Sequence, residues 1–280
     1  MFRGARRAMP RALQALKTGK SGVDAHGFHR AYSGFLMLRQ SILHSALLRC
    51  TVHSSTWPGI IRRGGVNMNK NVAGVDIPDG VLARAAFEYV RGIEPELLLH
   101  HALRVFLFAA LIGCKEALAF DIELLYVSAL FHNAGLNGRY AHSPNRFEID
   151  SANAAREFLR RHRADESATA QVWTAIALHT TPGIPEHMPP LVALLSAGVQ
   201  MDVRGARYHE FIAQQRNDIV QAFPRERGFK TKLIEAYARG MEHRPETTFG
   251  TVNADVLDRW DPDYRRLNFC GLVLGSEWPH

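Results

Sequence analysis

From about residue 77 onward, apolar positions recur with the period of an α-helix, and Pro, Gly and Asp punctuate the runs. Residues 81–93 set Leu82, Ala85, Ala86, Tyr89 and Val90 at helical spacing. Glu94-Pro95 restarts the chain, and 96–112 follows with Leu98, His101, Val105, Phe108 and Ile112 on one face. The next predicted helix is 121–131, with Asp121 suited to cap it. A loop over 135–144 carries Arg139, Tyr140 and His142. A helix beginning at Asp150 turns Ala154, Ala155, Phe158 and Leu159 inward, and another over 168–178 stops at His179-Thr-Thr-Pro-Gly. Residues 191–203 are strongly apolar, whereas 210–222 and 230–241 have the mixed faces of outer helices. The tail from Arg244 has no clear pattern. Strand-like alternation is almost absent and no repeat occurs, so the prediction is all-α, a single helical bundle with extra C-terminal helices.

Charge divides the chain in two. Residues 1–67 hold eleven Lys/Arg against one acid, Asp24, while 68–280 hold 23 basic against 26 acidic residues. The basicity therefore belongs to a leader, and residues 75–280 are expected to form the domain without a nucleic-acid partner. Two readings of 1–67 stand: an organelle transit peptide, or an extension from an upstream start with Met68 as the working beginning. Either way the leader is expected to be poorly ordered and to contribute nothing to the core. Cys50, Cys114 and Cys270 are scattered and form no CxxC, the usage of a reducing compartment, so the expected location is cytoplasmic, or an organelle if the leader is a transit peptide. No uninterrupted apolar run reaches the roughly 18 residues of a membrane span.

Candidate chemistry lies in the polar residues set among apolar ones: His101, His132, Asn133, His179 and Asp202. Burying any of them is costly unless it is hydrogen-bonded or coordinated. A single buried histidine is usually a satisfied core residue; several at helix ends and on inner faces suit a metal site between helices. The stretches His100-His-Ala-Leu-Arg-Val-Phe, Ala129-Leu-Phe-His-Asn-Ala-Gly-Leu, Arg146-Phe-Glu-Ile-Asp and Ile176-Ala-Leu-His-Thr-Thr together resemble the HD superfamily of metal-dependent hydrolases, and more narrowly its cyanamide hydratase-like branch. The resemblance spans roughly residues 75 to 278.

That resemblance implies a metal-binding, small-molecule enzyme. His101, His132, Asn133 and Asp202 would surround one divalent ion, Zn or Fe(II), which would lower the pKa of a bound water. Asn133 stands where the family has Asp, an amide without charge and unable to act as a base, so metal occupancy is in question. His179 is expected to be a further ligand or a proton donor, against the alternative of a helix-end histidine stabilised by the dipole. Arg104, one turn after His101, is grouped with His179 and Glu148 as catalytic, its alternative being a core-edge ion pair. Arg146 and Thr180 are expected to bind substrate; otherwise Arg146 pairs with Glu148 at the surface, and Asp150 caps its helix. Three functions remain: hydration of a nitrile-like carbon, as in cyanamide to urea; hydrolysis of a phosphoester; and a metal-poor, catalytically silent binding protein. A small-molecule substrate and no membrane are expected, and a homo-oligomer is compatible with the sequence.

Overall fold

A computed structural model describes residues 71–278, and the expectations for 1–67 lie outside that range. Among the described residues there are ten α-helices and one two-stranded antiparallel ribbon, β1 (Asn71–Val72) with β2 (Val75–Asp76). The fold is all-α, as the periodicity predicts.

The most apolar stretch becomes the central element. Helix α2 (Glu96–Lys115) is buried along most of its length, so its apolar character belongs to a core helix although its length and hydropathy would suffice to cross a bilayer. Around it stand α1 (Val81–Arg91), α3 (Ile122–Phe131), α4 (Phe147–Arg161), α5 (Glu166–Leu178) and α6 (Pro190–Arg204). Asp121 caps α3, accepting from the backbone N–H of Glu123 at 2.9 Å and of Leu124 at 3.0 Å. Gly205 (φ 70°) ends α6 in the left-handed conformation that glycine adopts without strain.

The α2–α6 contact brings two distant parts of the chain together, and Gly198 permits it. A Cβ there would lie 2.5 Å from the Val105 carbonyl oxygen and 2.9 Å from the Ala109 Cβ. Only a residue without a side chain lets the two backbones approach this closely.

Helices α7 (Ala213–Ala222), α8 (Phe229–Met241), α9 (Asn253–Trp260) and α10 (Phe269–Leu274) complete the chain. A second hydrophobic cluster, including Leu98, Phe147, Phe229, Leu233, Tyr237 and Leu257, joins α8 and α9 to the bundle. The polar cluster described next lies at the seam between this cluster and the main core.

Two boundaries differ from the sequence reading. Helix α4 starts at Phe147 with Arg146 at its N-cap, so Asp150 lies in the first turn and is not the cap. The tail, which carries no clear pattern, forms α9 and α10, and α9 supplies Asn253 to the interior.

Candidate active site

Three helix ends and the inner face of a fourth helix supply the polar cluster. His101 and Arg104 project from α2, His132 and Asn133 follow the end of α3, His179 follows α5, and Asp202 sits in the last turn of α6; all six are buried.

Each imidazole is anchored through Nδ1. His101 Nδ1 lies 2.7 Å from Asp202 Oδ2, His132 Nδ1 2.6 Å from the Ala129 carbonyl, and His179 Nδ1 2.6 Å from the Ile176 carbonyl. A carbonyl can only accept, so in His132 and His179 the hydrogen sits on Nδ1 and Nε2 keeps its lone pair. The Asp202 carboxylate fixes the same tautomer in His101: burial would raise it, but the hydrogen bonds and charges of His101 and Arg104 outweigh burial and hold it well below the usual carboxylate range. Burial pushes all three imidazoles below their ordinary value, His132 furthest, with His179 and His101 adding to its shift. The rings are therefore neutral at neutral pH.

His101 Nε2 and His132 Nε2 face each other at 3.2 Å. Two nitrogens bound to one zinc ion at about 2.0–2.1 Å would stand at about this separation. The carboxylate half of the expected metal cage is arranged otherwise. Asp202 sits at the opposite edge of the His101 ring, on Nδ1. It also accepts from Arg104 Nε at 2.8 Å, Arg104 Nη2 at 3.0 Å and Arg225 Nη1 at 2.9 Å. Asn133 Oδ1 accepts from the Tyr237 hydroxyl at 2.9 Å, and Asn133 Nδ2 has no protein partner. Among the described residues no three His, Cys, Asp or Glu side chains are grouped to hold an ion. A divalent ion thus fits the imidazole half of the set and not the carboxylate half, and no chemical step below is routed through a metal.

Arg104 donates to Asp202 and, through Nη1, to the carbonyls of Phe223 (3.1 Å) and Pro224 (3.0 Å), with its guanidinium over the Phe229 ring. Every arm is committed, which makes it a positioning residue for Asp202 and hence for His101. Glu148 is fully buried, so its pair with Arg146 (3.2 Å) is not the surface contact that the sequence allowed. Its Oε1 also accepts from Thr180 Oγ1 and from Asn253 Nδ2 at 2.8 Å. Burial alone would raise the Glu148 carboxyl, but Arg146, His179 and the Thr180 hydrogen bond outweigh it and hold the group below its ordinary range. Asp150 accepts from Ser143 at 2.9 Å and pairs with buried Arg244, which also donates to the Gly135 carbonyl at 2.7 Å. It secures the turn after Asn133.

His179, Thr180, Thr181, Gln200, Arg204, Tyr237 and Asn253 supply the polar part of the wall of a cavity of about 260 Å³. His101, His132, Asn133 and Asp202 are not in its wall; His132 stands directly behind His179, their rings edge to face at 5.1 Å. Arg225, Tyr237 and Asn253 lie outside the motifs that the sequence singles out. Arg225 follows a proline in a loop and Asn253 lies in the unpatterned tail, so periodicity carries no signal for either.

Residues 98–209 match the family model described as HD domain. The match covers 112 of the 280 residues and supports the HD superfamily for this stretch. It runs from the start of α2 to the turn after α6, and so contains His101, His132, Asn133, His179 and Asp202, while Arg225, Tyr237 and Asn253 lie beyond it. The superfamily so supported is one of metal-dependent hydrolases, and where the resemblance implies a His-Asp pair the sequence has His132-Asn133. A comparison with curated proteins gives no match to the chain.

Proposed function

We propose that the chain is a small-molecule enzyme of the HD superfamily that adds water to an electrophilic carbon bound to nitrogen, as in the nitrile-like carbon of a cyanamide. The observation that carries this reading is His179 Nε2. It is buried, belongs to a neutral ring and has no protein partner, and its residue borders the cavity. Such a nitrogen is a free proton acceptor in a residue beside the space a substrate would fill. His179 takes a proton from water while the water oxygen bonds to the carbon; the imidazolium then returns the proton to the substrate nitrogen. Glu148, anionic and electrostatically coupled to His179, stabilises the imidazolium in between. The imidic acid so formed, R–C(OH)=NH, tautomerises to the amide, so the net change is R–C≡N plus H₂O to R–C(=O)NH₂.

A phosphoester substrate is disfavoured by the same wall. Besides His179 and Asn253 its polar groups are the neutral Thr180, Thr181, Gln200 and Tyr237, and the one cationic residue in the wall, Arg204, is exposed at the rim and bonded to Gln200 at 2.7 Å.

The test is turnover of cyanamide and small nitriles, followed by amide or urea release, beside hydrolysis of a phosphodiester. Wild type should act on the first class only, and His179→Gln should lose about 10²–10⁴-fold in kcat, the usual contribution of a general base. Because burial lowers the His179 pKa, activity should be level through neutral pH and fall only in acid, below the ordinary imidazole range. Phosphodiester cleavage without action on nitriles would overturn the proposal. A second reading, a catalytically silent small-molecule binder, is favoured by Asn133 together with the capture of Asp202 by two guanidinium groups. Tight ligand binding with no turnover of either class would select it.

A further inference from the structure

Among the described residues, apolar side chains stand uncovered in two places that match each other. The first is α10 with the turn after it. Phe269, Leu272, Val273, Leu274 and Trp278 are all exposed, Leu274 by 80% and Trp278 by 84%, and none belongs to either hydrophobic cluster. Asn268 caps α10, accepting from the Gly271 N–H at 3.1 Å. A helix of six residues is nevertheless far below the roughly 12–15 that hold together alone in water, so α10 needs a surface to lie on. The second place is the outer part of the cavity wall. Its aliphatic side chains run from buried Val199 and Leu233 out to Val203, Ile234 and Val252, which are exposed.

The arm is rooted beside that wall. The Tyr264 hydroxyl meets Thr248 Oγ1 at 2.8 Å, and Arg266 Nη1 donates to Asp255 Oδ1 at 2.7 Å. Asp255 lies on α9 between Val252 and Val256, both of which line the cavity. From Arg265 to Trp278 every residue is exposed, and the extended residues 265–268 give the arm a reach of about 14 Å. We infer that two copies of the chain cover each other's apolar surfaces: the α10 arm of each lies across the Val203, Ile234 and Val252 rim of the other, about a twofold axis beside α9. A reciprocal exchange of this kind closes at two copies and leaves no arm unpaired. The partner's arm then forms an outer wall for the cavity. With each aromatic side chain worth about 150–250 Å², the arm offers roughly 500 Å² of apolar surface. Two arms and the two rims that receive them bring roughly 2,000 Å² out of water, the size of a stable interface at about 1,200–2,000 Å². A lipid surface suits the arm less well. Glu277 lies within the apolar run, Arg266 is engaged by Asp255, and Arg265 is turned to the carbonyls of Pro262 and Tyr264.

Sedimentation of the full chain over a range of concentrations tests the exchange, and its readout is independent of the proposed reaction. The wild type should run at twice the 31.4 kDa of the chain. Leu274→Ser combined with Trp278→Ser should weaken self-association by more than about a hundredfold, the loss expected when central apolar anchors are removed. Val252→Glu in the rim should do the same, and neither change should shift the melting temperature; if Val252→Glu unfolds, Ile234→Glu takes its place. Mixing the arm variant with the rim variant should restore a dimer weaker than wild type, because one intact arm then meets one intact rim. A wild type that stays monomeric would overturn the inference. So would a dimer indifferent to the rim variants, which would mean that the arms pair with each other, or a mixture that does not associate. Flotation of a monomeric wild type with phosphatidylcholine–phosphatidylserine vesicles, abolished by Trp278→Ser, would assign the arm to a lipid surface and overturn it as well.

Discussion

At the scale of single residues, the decisive feature of the cluster is where its carboxylates stand. Asn133 brings an amide to the position of the usual carboxylate, and Asp202 is held at the far edge of His101 by Arg104 and Arg225. Two neutral imidazoles are left with lone pairs 3.2 Å apart, which is half of a metal centre. Asn133→Asp should supply a third donor, with the Tyr237 hydroxyl still able to donate to it. Bound zinc per chain, measured after identical purification, should then rise from well below one in the wild type to about one in the variant. Equal and full occupancy in both proteins would show that the amide already serves as a ligand. Asp202→Asn acts on the other feature. It leaves the buried Arg104 guanidinium facing a neutral amide, and losing one partner of a buried ion pair costs about 3–5 kcal/mol. Urea denaturation should show a loss in that range; a change of less than about 1 kcal/mol would mean that the three carbonyl and ring contacts of Arg104 suffice without the charge.

At the scale of elements, the helices were legible because burial imposes a period. Leu98, Val105, Phe108 and Ile112 mark the inner face of α2, and Asp121 announces the start of α3 in the way a capping side chain must. The residues between helices were legible only as types. That His101, His132 and His179 stand in one cluster follows from helix crossing, which the pattern along one chain does not encode. The sequence reading put Asp202 on the same ion as His101 and His132, whereas it lies at Nδ1, a distinction of ring edges that no spacing expresses. Arg225 and Asn253 were invisible for a different reason: they sit in a loop and in a tail helix whose apolar face is short. Gly198 is the element-scale device with the sharpest consequence. Gly198→Val would force α2 and α6 apart at the Val105 carbonyl, from which the added Cβ would lie only 2.5 Å away. Overpacking of this kind costs about 1–3 kcal/mol. Because α2 carries His101 and α6 carries Asp202, activity should fall by more than the stability loss explains. A variant with unchanged melting temperature and unchanged turnover would show that the helices adjust without disturbing the cluster.

At the scale of the whole molecule, stability should depend on pH through a group that the proposed chemistry does not use. Glu94, in the turn between α1 and α2, is buried with neither carboxyl oxygen partnered within the protein, and burial raises its pKa from 4.5 to about 8. The unfolded chain releases this proton near 4.5 and the folded chain near 8, so between those values the folded state binds the extra proton. Its contribution is therefore complete below about pH 4.5 and is lost as pH rises through 8, at about 1.4 kcal/mol per pH unit within the window. The buried imidazoles work in the opposite direction: with pKa values lowered by burial, they destabilise the fold in acid and stop contributing a slope above the ordinary imidazole range. The interval from about pH 7 to 8.5 isolates Glu94. Across it the wild type should lose about 1–2 kcal/mol in urea denaturation, while Glu94→Gln, which keeps the shape and cannot ionise, should stay level. The same slope in both proteins would assign the loss to another group, and a wild type that gains stability over this interval would mean that Glu94 is ionised in the folded state.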